Sequence, residues 1–152
     1  MFRRRKGWVE VRPASRPRIE FRYTWSPDTP LYIPELGVRL SGEILPNLRP
    51  ATLKADDHLE ARLDADKLTL PLTVRSRRPG DRFRPLGAPG RVKLKEVFRS
   101  REIAPEDRDR HPVCVSGETI IWVLGLPVSE GVKITDSTTR VLHIRVVGGP
   151  QV

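Results

Sequence analysis

A chain of 152 residues with 28 Lys+Arg against 19 Asp+Glu carries a net charge of +9, and it is long enough to bury the core of one domain without covalent staples. Its single cysteine, Cys114, excludes an internal disulfide, and the neighbours Val113 and Val115 make it a buried strand position in a protein of a reducing compartment, the cytoplasm. The longest apolar run, "TIIWVLGLPV", is broken by Gly125 and Pro127 and is about half of a membrane span, so no membrane partner is expected.

The charge is unevenly distributed. Residues 1–22 hold eight basic and two acidic side chains, 23–74 have a net charge of −3, 75–110 hold twelve basic and six acidic, and 111–152 are neutral. Two basic zones around an acidic stretch are the footprint of a protein that meets a polyanion. The basic start "MFRRRKGW" leads into polar residues, not an apolar stretch, and so does not read as a secretory signal.

In chain order, "RPRIEFRYTW" places Ile19, Phe21, Tyr23 and Trp25 on one side, the period-two pattern of a half-buried strand. "LYIPELGVRLSGEIL" continues as short strands about a turn at Pro34 and Gly37, "PNLRP" closes it, and "HLEARLDADKL" alternates again at Leu59, Ala61 and Leu63. A strand is expected over 68–76, with Leu68, Leu70, Leu72 and Val74 sharing a face. In "VKLKEVFRSREI" the spacing of Leu94, Val97, Phe98 and Arg101 predicts a helix. Pro105 with Glu106 and Asp107 marks a second helix start that Pro112 ends early. "VCVSGETIIWVLG" reads as a hairpin turning at Ser116-Gly117, and "VSEGVKIT" and "RVLHIRVV" as two further strands. The fold class is α+β, with short antiparallel strands in a β-sandwich-like core and one or two short helices. The organisation is a β-rich segment over 1–67, a domain over 68–147 and a tail over 148–152.

Few residues here suggest chemistry. His58, His111 and His143 have no Cys or His partner at ligand spacing, so no metal is expected. No nucleophile elbow, zinc-protease or dinucleotide motif occurs, and the carboxylates Asp56, Asp57, Asp64, Asp66, Glu106, Asp107 and Asp109 read as solvated surface. No catalytic residue is assigned. The exception is "VRSRRPGDRFRPLG", residues 74–87, which packs five arginines around Pro79-Gly80 and a lone Asp81. It could be a solvated loop, a salt-bridged corner or a grip on phosphate. Gly80, Asp81, Phe83 and Gly87 look like loop architecture. Arg75, Arg77, Arg78, Arg82 and Arg84 exceed what one aspartate can pair, and guanidinium forks match phosphate oxygens.

Residues 68–146 resemble the C-terminal domain of tRNA(Ile)-lysidine synthetase. The features that carry the resemblance are R-x-R-x-P-G-D-R-F at Arg75 to Phe83, P-L-G at Pro85 to Gly87, K-L-K-x-x-F at Lys93 to Phe98, R-D-R-x-P at Arg108 to Pro112 and W-V-x-G-L at Trp122 to Leu126. The resemblance implies a three-layer α+β fold like a domain of the phenylalanyl-tRNA synthetase β subunit. It also implies a non-catalytic, tRNA-binding part of an ATP-dependent ligase. That enzyme converts the wobble cytidine of the CAU anticodon of an isoleucine tRNA to lysidine, while this domain holds the acceptor region. ATP and magnesium would belong to an N-terminal catalytic domain with an S-G-G-x-D-S loop, of which this chain has only "SGEI" at Ser41 and "SGET" at Ser116. The chain is therefore expected to be a C-terminal piece that is inactive alone and has no cofactor of its own. Its partners would be tRNA, not DNA, and its own catalytic domain. The residues expected to meet tRNA are Arg75, Arg77, Arg78, Arg82, Arg84, Lys93, Lys95 and Arg108; Lys93 and Lys95, two apart on the helix, cannot both face one backbone, so only one of them is expected to matter. A free-standing RNA-binding module using the same domain, or a domain whose arginines meet an acidic protein, are the alternatives.

Overall fold

The computed structural model describes residues 18–47 and 59–148. Expectations for the basic start of the chain, for Asp56, Asp57 and His58, for most of "PNLRP" and for the tail after Gly148 lie outside the described residues.

Alternation in the sequence becomes two four-stranded antiparallel sheets. One contains β1 (Arg22–Trp25), β5 (Leu72–Arg75), β8 (Val113–Ser116) and β9 (Thr119–Val123), in that order. The other contains β2 (Leu31–Ile33), β3 (Val38–Pro46), β10 (Arg140–Gly148) and β4 (Glu60–Asp64). Between them lies a core that takes Trp25, Leu72, Val74, Cys114 and Ile121 from the first sheet and Ile33, Leu40, Leu63, Leu142 and Ile144 from the second. Both sheets draw strands from before and after residue 67, because β1 pairs with β5 and the last strand, β10, lies between β3 and β4.

The first sheet is apolar on its other face too. There Val113, Val115, Ile120 and Val123 pack against Phe83, Leu94, Phe98 and Leu126. Phe83 comes from a two-stranded ribbon of β6 (Arg82–Phe83) and β7 (Val92–Lys93), and Leu94 and Phe98 come from the helix α1 (Leu94–Ser100). The result is three layers of sheet, sheet and helix with ribbon. A seven-residue helix is too short to persist by itself in water, so α1 exists because Leu94 and Phe98 are buried on the sheet.

Three expected elements differ. The strand over 68–76 is shortened to Leu72–Arg75, and Leu70 is exposed instead of facing the core; Pro71 has no N–H to offer a ladder. The segment after Pro105 is a 3₁₀ helix, Pro105–Arg110. "VSEGVKIT" is not a strand but a 3₁₀ turn at Glu130–Val132, because the backbone N–H of Glu130 bonds the carbonyl of Arg84 and Ser129 pairs with Pro85 in a single bridge. Two of the carboxylates expected in solvent make structural bonds, although Asp66 stays exposed. Asp64 is buried and caps the turn at Ala65–Lys67, and Asp66 accepts from the N–H and hydroxyl of Thr139.

Cys114 faces the inter-sheet core, and burial pushes its thiol up to about 12. Since the thiolate is the reactive form, Ellman's reagent at pH 8 is expected to leave the native protein unlabelled and to titrate one thiol after denaturation in guanidinium. Rapid labelling of the native protein would show that the core opens at Cys114.

Candidate nucleic-acid interface

The arginine loop leaves β5 at Arg75 and returns through the ribbon to α1, and Asp81 ties these parts together. Its carboxylate receives both terminal nitrogens of Arg75, at 2.9 and 3.1 Å, and the backbone N–H of Arg78 at 2.7 Å. Its carbonyl accepts the N–H of Leu94, the first residue of the helix, at 2.9 Å. Gly80 and Gly87 have φ of 86° and 84°, the left-handed region that admits glycine without a Cβ clash. The second half of the loop is fastened to 128–130: Leu86 N–H bonds the Val128 carbonyl and Gly87 N–H bonds the Glu130 carboxylate. That bond and Lys133 hold the Glu130 carboxyl below its usual range, with Lys133 the larger cause.

The arginines then divide by what they touch. Arg75 was expected to meet phosphate, yet it is buried beside Asp81, directly across from Val113 in the neighbouring strand, with a further bond from its guanidinium to the Ser76 carbonyl. It holds the loop, because a bidentate carboxylate and a carbonyl take three of its five donors in a buried position. Arg77 donates from Nε to Asp109 at 2.8 Å. Asp109, read from the sequence as solvated, is buried in this pair at the 3₁₀ helix. Arg108 also turns inward, with Nε on the Ile103 carbonyl and its guanidinium 5.8 Å from the centre of the Phe98 ring. Arg84 donates from Nε to the Ala88 carbonyl and is otherwise exposed.

Arg78, Arg82, Lys93 and Lys95 differ from these. All four are exposed, and none has a side-chain ion pair among the described residues. Arg78, Lys93 and Lys95 line one cleft of about 250 Å³ with Arg77, Pro79, Gly80, Asp81 and Leu94. Lys93 is extended (φ −73°, ψ 134°) and precedes the helix as its N-cap, so both lysines reach the same cleft, contrary to the expectation for two residues on one helix. Arg82 stands directly opposite Lys93 in the ribbon. Like charges so placed destabilise a strand pair. The one carboxylate in the cleft, Asp81, is already engaged by Arg75 and the Arg78 N–H.

Residues 72–146 match the family described as the TilS substrate C-terminal domain. A solved structure titled a TILS C-terminal domain superposes with a TM-score of 0.72 at 27% identity, covering 88% of this chain and 100% of that one. Over residues 72–146 the chain belongs to this family. Curated relatives are tRNA(Ile)-lysidine synthases. The protein of Symbiobacterium thermophilum is 42% identical over 62% of this chain and 19% of its own length, and that of Clostridium acetobutylicum is 32% identical over 73% and 23%. The chain spans about a fifth of the length of these relatives. An N-terminal fragment of the phenylalanyl-tRNA synthetase beta-subunit from Pyrococcus horikoshii shares the fold (TM-score 0.50, 23% identity, 59% of this chain and 28% of that one).

Neither Ser-Gly pair fits a nucleotide phosphate. Ser41 and Gly42 lie within β3, paired with Arg145 and Ile144, while Ser116 ends β8 and Gly117 turns the hairpin into β9. Neither precedes a helix whose N–H groups could cradle an anion. Among the described residues no cluster of three His, Cys, Asp or Glu side chains could hold a metal ion, and no helix is long and apolar enough to cross a membrane. Sequence reasoning missed Asp109 as the partner of Arg77 and missed Arg18 and Arg22 beside the loop. The alternation of Arg18, Glu20 and Arg22 against Ile19 and Phe21 was the available signal for the latter.

Proposed function

We propose that this chain is the tRNA-holding part of a cytoplasmic tRNA(Ile)-lysidine synthase. In this reading Arg78, Arg82, Lys93 and Lys95, with Arg84 at the flank, grip the phosphates of the acceptor region. A separate catalytic domain with ATP and magnesium converts the wobble cytidine of a CAU-bearing isoleucine tRNA to lysidine. The described fold, from 18 to 148, acts as one unit carrying this surface. The observation that supports the reading best is the cleft itself: among the described residues four cations line it, of which only Arg77 has an ion pair, with Asp109, and its one carboxylate is already bonded to Arg75 and the Arg78 N–H. Phosphate oxygens satisfy such a site and offset the repulsion between Arg82 and Lys93.

Replacing Arg78 by alanine is expected to weaken binding of an isoleucine tRNA transcript roughly five-fold, as for the loss of about 1 kcal/mol. It should also lower the slope of log K against log salt by about 0.7–0.9, one phosphate contact. Filter binding across a salt series measures both. A slope identical to that of the unaltered chain would return Arg78 to a solvated loop.

A further inference from the structure

The ridge Arg77-Arg78-Pro79 has a second cleft on its far side. It has a volume of about 450 Å³ and is lined by Arg18, Glu20, Phe21, Arg22 and Ser76 together with the three ridge residues. Arg18 and Arg22 come from the chain leading into and through β1, outside the matched residues 72–146. They reach the loop because β1 pairs with β5 in a register that sets Arg22 opposite Arg75. Arg18 is fastened there: its Nη2 donates to the Arg77 carbonyl at 2.7 Å, and its Nε lies 3.5 Å from the Glu20 carboxylate. The next strand residues repeat the join, since Phe21 N–H bonds the Ser76 hydroxyl and Ser76 N–H bonds the Phe21 carbonyl. Arg22 is exposed and has no ion-pair partner among the described residues. Arg78 borders both clefts.

We infer that this second cleft binds another backbone phosphate of the RNA strand held at the first, with Arg22 as the principal contact and Arg18 as the residue that braces the ridge. The inference rests on the tRNA-holding reading above. Its physical basis is the shared wall. A polyanion lying across Arg78 enters both clefts, and on the β1 side the only carboxylate, Glu20, is set against Arg18, leaving the Arg22 guanidinium for phosphate. The surface then runs from Lys93 and Lys95 across Arg78 to Arg22, wider than the loop alone.

The test uses the full chain and an isoleucine tRNA transcript bearing CAU, with binding followed over a salt series for Arg22→Gln, Arg78→Gln and the double variant. Arg22→Gln is expected to lower the salt slope by about 0.7–0.9 and the double variant by about twice that. An unchanged slope in Arg22→Gln beside a lowered slope in Arg78→Gln overturns the second cleft and leaves the loop reading standing. Unchanged slopes in both overturn the two together. Arg18→Gln separates bracing from contact, because a brace alters affinity without removing a full contact from the slope, whereas a loss of about 0.7–0.9 would make Arg18 a direct phosphate ligand and overturn its bracing role.

Discussion

Replacing Asp81 by alanine is expected to destabilise the protein by about 3–5 kcal/mol, the cost of leaving a buried charge without its partner. Arg75 and Asp81 are both about one-tenth exposed at the side chain, so water cannot readily take over the bonds that the carboxylate makes to the guanidinium. The same substitution frees the N–H of Arg78. Asp81→Asn retains an acceptor for that N–H, and is expected to be about 1 kcal/mol less damaging than alanine, the usual net value of one hydrogen bond. Equilibrium unfolding in urea, followed by tryptophan fluorescence, reads both. A loss below about 1 kcal/mol for Asp81→Ala would mean that Arg75 rehydrates, and that the loop is held by its turn instead of by this pair. Because Asp81 also receives the Leu94 N–H through its carbonyl, the damage should spread to the start of α1 and to the cleft beside it.

Phe98→Ala carries the other large effect, a loss of about 3–5 kcal/mol. The Phe98 ring is fully buried against the outer face of the first sheet, near His111 at 5.4 Å between ring centres and beneath the Arg108 guanidinium. Only Leu94 would remain as a fully buried side chain of α1. Since the helix has too few residues to hold itself together, it should detach locally before the sheets separate. Hydrogen exchange is the sensitive reporter. Amides of 97–103, including Ile103 on the Phe98 carbonyl, should exchange much faster in Phe98→Ala while those of β8 and β9 accelerate less. Uniform acceleration across both regions would show that helix and sheet unfold as one. tRNA affinity should fall with the local opening, because Lys95 is carried on this helix.

Much of the architecture could be read along the chain. Period two at Phe21, Tyr23 and Trp25, the alternation through Val38 and Leu40, and the helical spacing of Leu94 and Phe98 each mark which face of a local segment is apolar. Those faces are the ones buried. The turn and the apolar plug of the loop were legible as well, since Gly80 and Gly87 take positive φ and Phe83 enters the core, but not which arginines are surplus, because Arg75 is buried on Asp81. "VSEGVKIT" was misread because its apolar residues report burial alone, and the bond from Glu130 to the Arg84 carbonyl, 46 residues back, decides its backbone.

The sequence alone therefore determined the strand and helix faces, the turns, the surplus of positive charge around residues 75–95 and the family of the domain, all properties of residues near each other in the chain. Only the tertiary structure decided which cations remain available. Five arginines compete for Asp81 in the loop, and the face of β5 that the ribbon covers gives that carboxylate to Arg75. Arg77 is taken by Asp109, 32 residues away, while Arg22 is brought beside the ridge by the pairing of β1 with β5. Periodicity says which side of a strand is buried, but an ion pair depends on what the fold places over it.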